Sequence, residues 1–309
     1  MWAVFQMDWA FRAPMVERIQ VQSRSPFEIH HILTGLEYTP QIVIEAELYL
    51  PKGKGPFGCV VAHHGSKGWA AHHSDHIESW IDAGIAVCKV NSFASRGVDS
   101  TVDDQLSVTH AMMLVDAFRT RSVLSQDSRI GKIGIAGWSL GGTVALYSAW
   151  SPIIDILGTK FDAHLPFYPA AHIRPEIQNW SDSPILIMHG EADDWTPIHL
   201  VEELITQLPN ATLHAYPDAH HGFDSEKDLT LLPRAVRLRK RTARISKNGY
   251  MSGELFPGIR LPLNERWQRK WVIRILRNRG AHVQGNPSAR ADSLERGRDF
   301  FVEQLSQDC

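Results

Sequence analysis

The sequence predicts an α/β fold in which a mostly parallel central sheet is covered by helices on both faces. Short apolar runs alternate along the chain with segments whose apolar residues recur every three or four positions, and this alternation is typical of such sheets. Of the 309 residues, 43% are hydrophobic and 21% are charged, so the chain can bury a large core. These observations exclude a disordered chain, a collagen-like repeat and a coiled coil.

Strands are expected where a short apolar run ends at turn residues, and helices where the apolar spacing is three and four. The predicted strands are 42–50, 58–62, 84–90, 132–137, 162–168, 184–189 and 211–216. The predicted helices are 74–82, 101–124, 141–150, 197–208 and 286–305. Two helices carry start signals: Asp103 and Asp104 lie in the first turn of helix 101–124, and Asn286 precedes a proline at the start of the last helix.

The cysteines and the N-terminus indicate a protein of a reducing compartment. Cys59 and Cys88 lie in predicted strands and Cys309 ends the sequence; their odd number and spacing predict buried, reduced thiols. No lysine or arginine precedes Arg12, and polar residues interrupt the first apolar stretch, so no secretory signal is predicted. No apolar run reaches the length of a membrane span, and we expect a cytoplasmic location.

Charge is distributed unevenly along the chain. The sequence has 32 basic and 34 acidic residues, a net charge of −2, which argues against a dedicated nucleic-acid-binding protein. Residues 234–280 contain 14 basic and 2 acidic residues, whereas the rest of the chain carries a net charge of −14. The basic segment therefore needs an explanation of its own.

A basic amphipathic helix is predicted within this segment, at 265–277. Trp267, Trp271 and Ile275 are four positions apart and would form one apolar stripe. We expect this stripe to dock on the rest of the chain, whose negative charge complements the segment. The alternatives are a contact between the subunits of a homo-oligomer, and binding to an anionic membrane surface or a nucleic acid.

A G-x-S-x-G motif provides the strongest indication of function. It spans Gly137 to Gly141, directly between a predicted strand and a predicted helix. In this context the turn holds the serine above the sheet, and side chains at the two glycines would collide. The start of the following helix also favours the negative charge that develops on a substrate. Ser139 is therefore the predicted nucleophile.

A serine nucleophile needs a base, and the base needs an acid that orients it. Candidates for both follow later predicted strands, in the chain order serine, acid, histidine. The acid candidates after strand 184–189 are Glu191, Asp193 and Asp194. The base candidates after strand 211–216 are His220 and His221. The carboxyl ends of these strands are expected at the same sheet edge as the serine turn.

Together these motifs resemble the dienelactone hydrolase-like branch of the α/β-hydrolase superfamily. The resemblance covers about residues 40–228 and 281–306. It rests on HHGSKG at 63–68, NSFASRG at 91–97, GWSLGG at 137–142, HGEADDWTP at 189–197, HHGF at 220–223 and GNPSARADSLERGRDFF at 285–301. It implies one α/β-hydrolase domain over residues 1–309, with 1–40 as an N-terminal extension and about 229–280 as a basic insertion before the last helix.

The resemblance also selects among the candidate residues. A G-x-x-D-x-x-x-P pattern implies Asp193 as the acid, and a histidine followed by a small residue and phenylalanine implies His221 as the base. Ser139 would attack an acyl carbonyl, His221 would accept and return the proton, and Asp193 would hold the imidazole. The remaining candidates, expected beside the site or on the surface, are Glu191, Asp194 and His220.

Two backbone amides are expected to bind the oxyanion of such a reaction. One is that of Leu140, the residue after the nucleophile, and the other comes from the loop after an early strand. We assign the second to Ser66, with Gly65 as the alternative. Trp138 and Trp195, which adjoin the nucleophile and the acid, are the predicted substrate contacts.

The sequence thus predicts a serine hydrolase of small carboxylic esters that forms an acyl-enzyme intermediate and needs no cofactor. Dienelactone hydrolase itself has a cysteine as its nucleophile, whereas this chain has Ser139; the difference favours ordinary esters over dienelactone. The alternatives are a peptidase or amidase with the same triad, and a non-catalytic binding protein on the same fold.

Two further features have competing interpretations. His72 and His76 stand four apart in a histidine-rich stretch, which is a spacing found in zinc sites. No carboxylate or cysteine completes an obvious ligand set, so we predict no metal and interpret the stretch as a polar loop at the edge of the site. Arg96 follows a strand end and would contact a substrate carboxylate or, as we favour, form a structural ion pair.

Overall fold

The computed structural model describes residues 15–238 and 243–306, so the predictions for residues 1–14 and for Cys309 lie outside the described residues. The strands are β1 (Met15–Arg24), β2 (Gln41–Leu50), β3 (Phe57–His63), β4 (Ala86–Val90), β5 (Ile130–Trp138), β6 (His164–Phe167), β7 (Ile173–Pro175), β8 (Ile185–Gly190), β9 (Ala211–Tyr216), β10 (Thr230–Leu238), β11 (Ala243–Ile245), β12 (Met251–Phe256), β13 (Ile259–Pro262) and β14 (Arg277–Val283). The α-helices are α1 (Ile29–Gly35), α2 (Ala71–Asp82), α3 (His110–Leu124), α4 (Leu140–Tyr147), α5 (Ser151–Leu157), α6 (His199–Ile205), α7 (Arg266–Leu276) and α8 (Pro287–Leu305).

A central sheet of eight strands has the order β1-β2-β4-β3-β5-β6-β8-β9. The six strands from β4 to β9 in this order run parallel, while β2 is antiparallel to both β4 and β1. β3 and β8 are continuous apolar runs because both of their faces are buried. The prediction of a mostly parallel sheet is confirmed.

Helices cover both faces of this sheet. On one face α2 packs against α8, and Trp80 meets Phe301 edge to face with ring centroids 5.1 Å apart. On the other face α3 and α4 supply a second apolar core, which contains Met113 and Val144. The carboxyl ends of β5, β8 and β9 meet at one edge of the sheet, and the loops that follow these strands carry the predicted site residues.

The start of α8 agrees with its sequence signal, whereas the start of α3 does not. The side chain of Asn286 caps α8 by accepting a hydrogen bond from the Ala289 amide at 3.1 Å. α3 begins at His110 and not at residue 101, because Thr109 is the residue that caps it. Asp103 and Asp104 lie in the preceding loop. Asp103 forms an ion pair with Arg234, and Asp104 forms one with Arg266.

The N-terminal segment contributes a strand that the sequence analysis did not predict. β1 pairs with β2 along its whole length, from Met15 opposite Leu50 to Arg24 opposite Gln41. Its polar residues alternate with apolar ones because it forms the edge of the sheet and one of its faces is exposed. The described part of the predicted extension is therefore part of the central sheet.

The basic insertion forms α7 and two small groups of strands. β10 pairs antiparallel with β14. β11, β12 and β13 form an antiparallel group, and β11 also pairs in parallel with β7, which precedes the insertion by more than fifty residues. Backbone hydrogen bonds thus attach the insertion to the rest of the fold. The predicted helix at 265–277 is confirmed by α7.

The face of α7 that docks is not the one predicted. Trp267, Trp271 and Ile275 are 71%, 52% and 49% exposed, so the expected packing of this stripe on the rest of the chain is wrong. The helix packs instead through the opposite face, where Val272 is buried and Arg269 pairs with Glu28. Within the described residues, no helix is long and apolar enough to cross a lipid bilayer.

Glu28 anchors this inner face of α7. Its carboxylate is fully buried and interacts with Arg269, with His110 at 3.2 Å and with the Ile29 amide at 3.1 Å. Burial alone would raise the pKa of Glu28, but the charges of Arg269 and His110 lower it to about 2. Because this pKa lies below the ordinary value of 4.5, the resulting stabilisation is present above pH 4.5 and is lost as the pH falls toward 2.

Replacing Arg269 with methionine is expected to lower the free energy of unfolding by about 3–5 kcal/mol, because the Glu28 carboxylate would stay buried without its cation. Urea denaturation at neutral pH measures this difference. The difference should shrink as the pH falls, since protonation removes the buried charge. Arg274→Met removes an exposed arginine of the same helix and should change stability by less than about 0.5 kcal/mol. Equal stability of the wild type and Arg269→Met would contradict the anchoring role.

Candidate active site

Ser139 lies at a sharp turn between β5 and α4. Its backbone has φ 54° and ψ −108°, a left-handed conformation that non-glycine residues rarely adopt. A β-carbon on Gly141 would lie 2.2 Å from the carbonyl oxygen of His63, and one on Gly137 would lie 2.2 Å from that of Gly141. The two glycines of the motif are therefore required by close backbone packing, as the sequence predicts.

The structure brings together the three residues that the sequence predicts as nucleophile, base and acid. Ser139 Oγ lies 2.9 Å from His221 Nε2, and His221 Nδ1 lies 2.7 Å from Asp193 Oδ2. Asp193 follows β8 and His221 follows β9, so both side chains reach the sheet edge at which β5 ends. Asp193 and His221 are each 4% exposed.

Asp193 is held as a charged carboxylate. Its Oδ1 accepts hydrogen bonds from the backbone amides of Trp195 and Thr196, both at 2.8 Å. Burial alone would raise the pKa of Asp193, but His221 and the Thr196 amide lower it below its ordinary value. A carboxylate beside Nδ1 favours the imidazole tautomer that carries its proton there, which leaves Nε2 free to accept the Ser139 proton.

Thr196 is a site residue that the sequence analysis missed. Its hydroxyl donates to Asp193 Oδ2 at 2.9 Å and lies 3.1 Å from His221 Nδ1. Its position three residues after the acid, directly before a proline, was the available sequence signal. Thr196 thus contacts both Asp193 and His221.

The neighbouring candidates have other partners. Asp194 pairs with Arg237 of β10 at 2.9 Å and with His282 of β14 at 3.0 Å. Glu191 is exposed at the surface. The ring of His220 lies 6.1 Å from that of His282.

Trp138 borders a cavity next to Ser139 and His221, and its side chain packs in the protein interior. Its side chain is 0% exposed and stacks on Phe167, with ring centroids 5.2 Å apart. Its indole nitrogen donates to Asp224 at 2.9 Å. Because a tryptophan at the end of a buried strand can pack inward as well as outward, the sequence alone did not distinguish the two directions. Trp138 supports the nucleophile turn from beneath.

A buried carboxylate, Asp224, organises the region beneath the turn. It is 0% exposed and accepts hydrogen bonds from Trp138 and from the Tyr168 hydroxyl at 2.8 Å. His72 and His76 lie 3.9 and 3.3 Å from it. Burial alone would raise the pKa of Asp224, but these two histidines hold it well below its ordinary value.

The histidine-rich stretch is therefore not the polar loop that we expected. It forms α2, whose residues His73 and His76 are buried against the aromatic ring of Trp138. Among residues 15–238 and 243–306, no three histidine, cysteine, aspartate or glutamate side chains are placed to hold a metal ion. The interpretation of Arg96 as structural agrees with its ion pair to Asp116 at 2.7 Å.

Two cavities meet at Ser139. The larger, of about 130 Å³, lies under the insertion and has mainly apolar walls, which include Leu200, Met251 and Val272. The smaller, of about 90 Å³, lies beside His221 and is bordered by Lys67, His72 and Lys227. Trp195 borders both cavities, and its ring lies 4.8 Å from that of His221. The insertion therefore forms the roof of the larger cavity.

The two residues whose amides are predicted to bind the oxyanion border the larger cavity. Leu140 begins α4, and Ser66 lies in the loop after β3; both border the larger cavity together with Ser139. Within the described part of the chain, neither amide donates a hydrogen bond to another group. Two backbone donors are thus available beside the nucleophile.

Known structures similar to this chain have the α/β-hydrolase fold. A dienelactone hydrolase-like promiscuous phosphotriesterase from metagenomic libraries is 14% identical, with 94% of this chain and 99% of that chain covered and a TM-score of 0.55. A protein of Klebsiella pneumoniae subsp. pneumoniae assigned as a dienelactone hydrolase is 18% identical, with 67% and 89% covered and a TM-score of 0.50. At these identities the matches establish the fold.

The family of the chain follows from its sequence match. No curated protein matches the chain. The model of the dienelactone hydrolase family matches residues 44–246, which is more than half of the sequence. The chain therefore belongs to the dienelactone hydrolase family and is a hydrolase with a serine, Ser139, at the turn where the nucleophile is predicted.

Proposed function

We propose that the protein hydrolyses small carboxylic esters through an acyl-enzyme intermediate. The observation that carries the proposal is the continuous hydrogen-bonded series from Ser139 through His221 to Asp193. A hydroxyl, an imidazole and a buried carboxylate in this order are the groups that nucleophilic acyl transfer requires. No step of this reaction calls for a cofactor.

The reaction begins when Ser139 Oγ attacks the ester carbonyl and His221 Nε2 takes its proton. Asp193 stabilises the imidazolium that forms and remains ionised itself. His221 then donates the proton to the departing alcohol oxygen, so the alcohol leaves and Ser139 is acylated. A water molecule attacks the acyl group in the same manner, with His221 again accepting and returning the proton, and the carboxylic acid is released.

The amides of Leu140 and Ser66 are proposed to bind the oxyanion. Both border the cavity next to Ser139 and have no other acceptor within the described part of the chain. The positive end of the α4 backbone, which begins at Leu140, adds to the stabilisation. A single donor of this kind typically contributes about 3–4 kcal/mol to the transition state.

The larger cavity is proposed to hold the acyl chain of the ester. Its walls are mainly apolar, and its volume of about 130 Å³ is small. Trp195, at 8% exposure, remains the proposed substrate contact because it borders both cavities at the point where they meet. These features favour esters of short acids over bulky substrates.

Replacing Ser139 with alanine is expected to lower kcat by about 10⁴-fold or more on p-nitrophenyl esters from acetate to decanoate, because the nucleophile is lost. Release of p-nitrophenol measures the rate. Ser122→Ala, which changes an exposed serine of α3, is the matched control and should leave kcat unchanged. Ester hydrolysis that survives intact in Ser139→Ala would show that another group performs the reaction.

Replacing Thr196 with valine is expected to lower kcat about tenfold with little change in KM, since one hydrogen bond of about 1.4 kcal/mol to the acid–base pair is lost. Thr196→Ser keeps the hydroxyl and should restore most of kcat. Steady-state kinetics on p-nitrophenyl acetate separate the two parameters. If serine and valine have the same effect, the hydroxyl does not orient Asp193 and His221.

Replacing Met251 with alanine is expected to shift the preferred ester to a longer acyl chain, because Met251 is a buried wall of the larger cavity. Each additional methylene that fits is worth about 0.8 kcal/mol, or roughly fourfold in kcat/KM. The chain-length profile of p-nitrophenyl esters measures the shift, and Val302→Ala on the exposed side of α8 serves as the control. An unchanged profile would show that the acyl chain lies elsewhere.

A further inference from the structure

The outer face of α7 is an apolar stripe that is about half exposed or more, beside a groove shared with the loop before α3. We define this outer face by Trp267, Trp271 and Ile275, which are 71%, 52% and 49% exposed. The residues occur at positions i, i+4 and i+8, so their side chains line up along one side of the helix. A contiguous exposed apolar patch is typical of a surface that binds a protein or a membrane.

Exposed apolar side chains are concentrated in this part of the molecule. In the residues that the structure describes, fourteen large apolar side chains are exposed, and seven of them lie between positions 229 and 275. The seven are Leu229, Leu231, Tyr250, Ile259, Trp267, Trp271 and Ile275. Three of the seven, Trp267, Trp271 and Ile275, lie on the same helix.

The same segment also presents cations that the protein does not neutralise. Within residues 15–238 and 243–306, five of its exposed basic side chains form no ion pair; they are Arg244, Lys247, Lys270, Arg274 and Arg279. Lys270 and Arg274 lie on α7 beside the apolar stripe, and α7 contains no acidic residue. Asp103 and Asp104 border the same groove, but their ion pairs are with Arg234 and Arg266. A stripe of tryptophan and isoleucine flanked by lysine and arginine matches an anionic lipid surface, in which indole rings and basic side chains both find partners.

A second copy of the chain fits this surface less well. A twofold contact through the outer face would bring Lys270 and Arg274 of one copy close to the basic residues of the other. Like charges held close together oppose such a contact. An anionic surface adds attraction instead, because each basic residue near the lipid headgroups meets a negative charge.

We propose that the outer face of α7 docks on an anionic lipid surface. The opposite side of the helix lines the larger cavity through Arg269, Val272 and Ile273. Docking therefore places the cavity roof next to the lipid interface, where esters with apolar chains accumulate. The docking itself does not depend on the proposed ester hydrolysis, and it is measured separately from it.

Cosedimentation of the full-length protein with phosphatidylcholine vesicles, with and without phosphatidylglycerol, tests the proposal. The wild type is expected to bind the vesicles that contain phosphatidylglycerol, and to bind them less as salt is added. The combined variant Trp267→Ser, Trp271→Ser, Ile275→Ser should lose at least about tenfold in affinity, since apolar burial supplies much of the binding. Lys270→Glu with Arg274→Glu should weaken binding to the anionic vesicles as well.

Two controls separate docking from folding and from catalysis. Tyr38→Ser with Ile156→Ser removes exposed apolar side chains outside the insertion and should leave vesicle binding unchanged. Hydrolysis of soluble p-nitrophenyl acetate should be the same in all of these variants, which shows that they fold. If the protein hydrolysed no ester, circular dichroism would replace this check and the vesicle result would still stand.

The proposal is overturned if the wild type does not bind the anionic vesicles, or if the combined α7 variant binds them as well as the wild type does. Analytical ultracentrifugation identifies the alternative occupant. A dimer that the combined variant abolishes, in a protein that binds no vesicles, would assign the outer face of α7 to a second copy of the chain.

Discussion

The left-handed backbone of Ser139 is the constraint on which the active site depends. With φ at 54° the chain passes from β5 into α4 within one residue, and Gly137 and Gly141 have no β-carbons that would strike the surrounding backbone. The carbonyl oxygen of Phe167, at the end of β6, accepts the Ser139 amide at 3.0 Å and holds the turn. A nucleophile fixed in this way needs its base and acid at the same sheet edge, so the strand order decides which loops supply them.

Buried carboxylates hold the loops around that edge together. Four of them have side chains that are 0% exposed: Glu28, Asp116, Asp193 and Asp224. Each interacts with an arginine or a histidine from a distant part of the sequence, and each accepts further hydrogen bonds. An unpaired buried charge costs several kcal/mol. Removing the partner of any of these carboxylates is therefore expected to lower the free energy of unfolding. The fold thus pairs a buried carboxylate with a distant basic side chain both at Asp193, the proposed catalytic acid, and at the contacts around it.

The sequence predicted the candidate site more completely than the structure around it. Ser139, Asp193 and His221 each combine a distinctive residue type with the end of an apolar strand. Local pattern placed the candidates at one sheet edge, and the family resemblance chose among neighbouring residues. Local pattern also showed that Trp267, Trp271 and Ile275 share a face, but not which face of α7 packs. That choice depends on the ion pair between Arg269 and Glu28, which are 241 positions apart. The sequence analysis missed β1 because one face of this edge strand is exposed to solvent, so the strand has few apolar residues.

The insertion contacts the loop that contains Asp193 through the two residues that follow it, Asp194 and Trp195. Asp194, next in sequence, pairs with Arg237 on β10 and also accepts the amide of His282 on β14 at 2.8 Å. The indole nitrogen of Trp195 donates to the carbonyl oxygen of Val236 at 3.3 Å, while its own amide bonds Asp193. A displacement of the insertion would therefore act on the backbone that orients the acid. α7 belongs to this insertion and lines the larger cavity, so the segment that carries the exposed stripe also contacts the loop that contains Asp193.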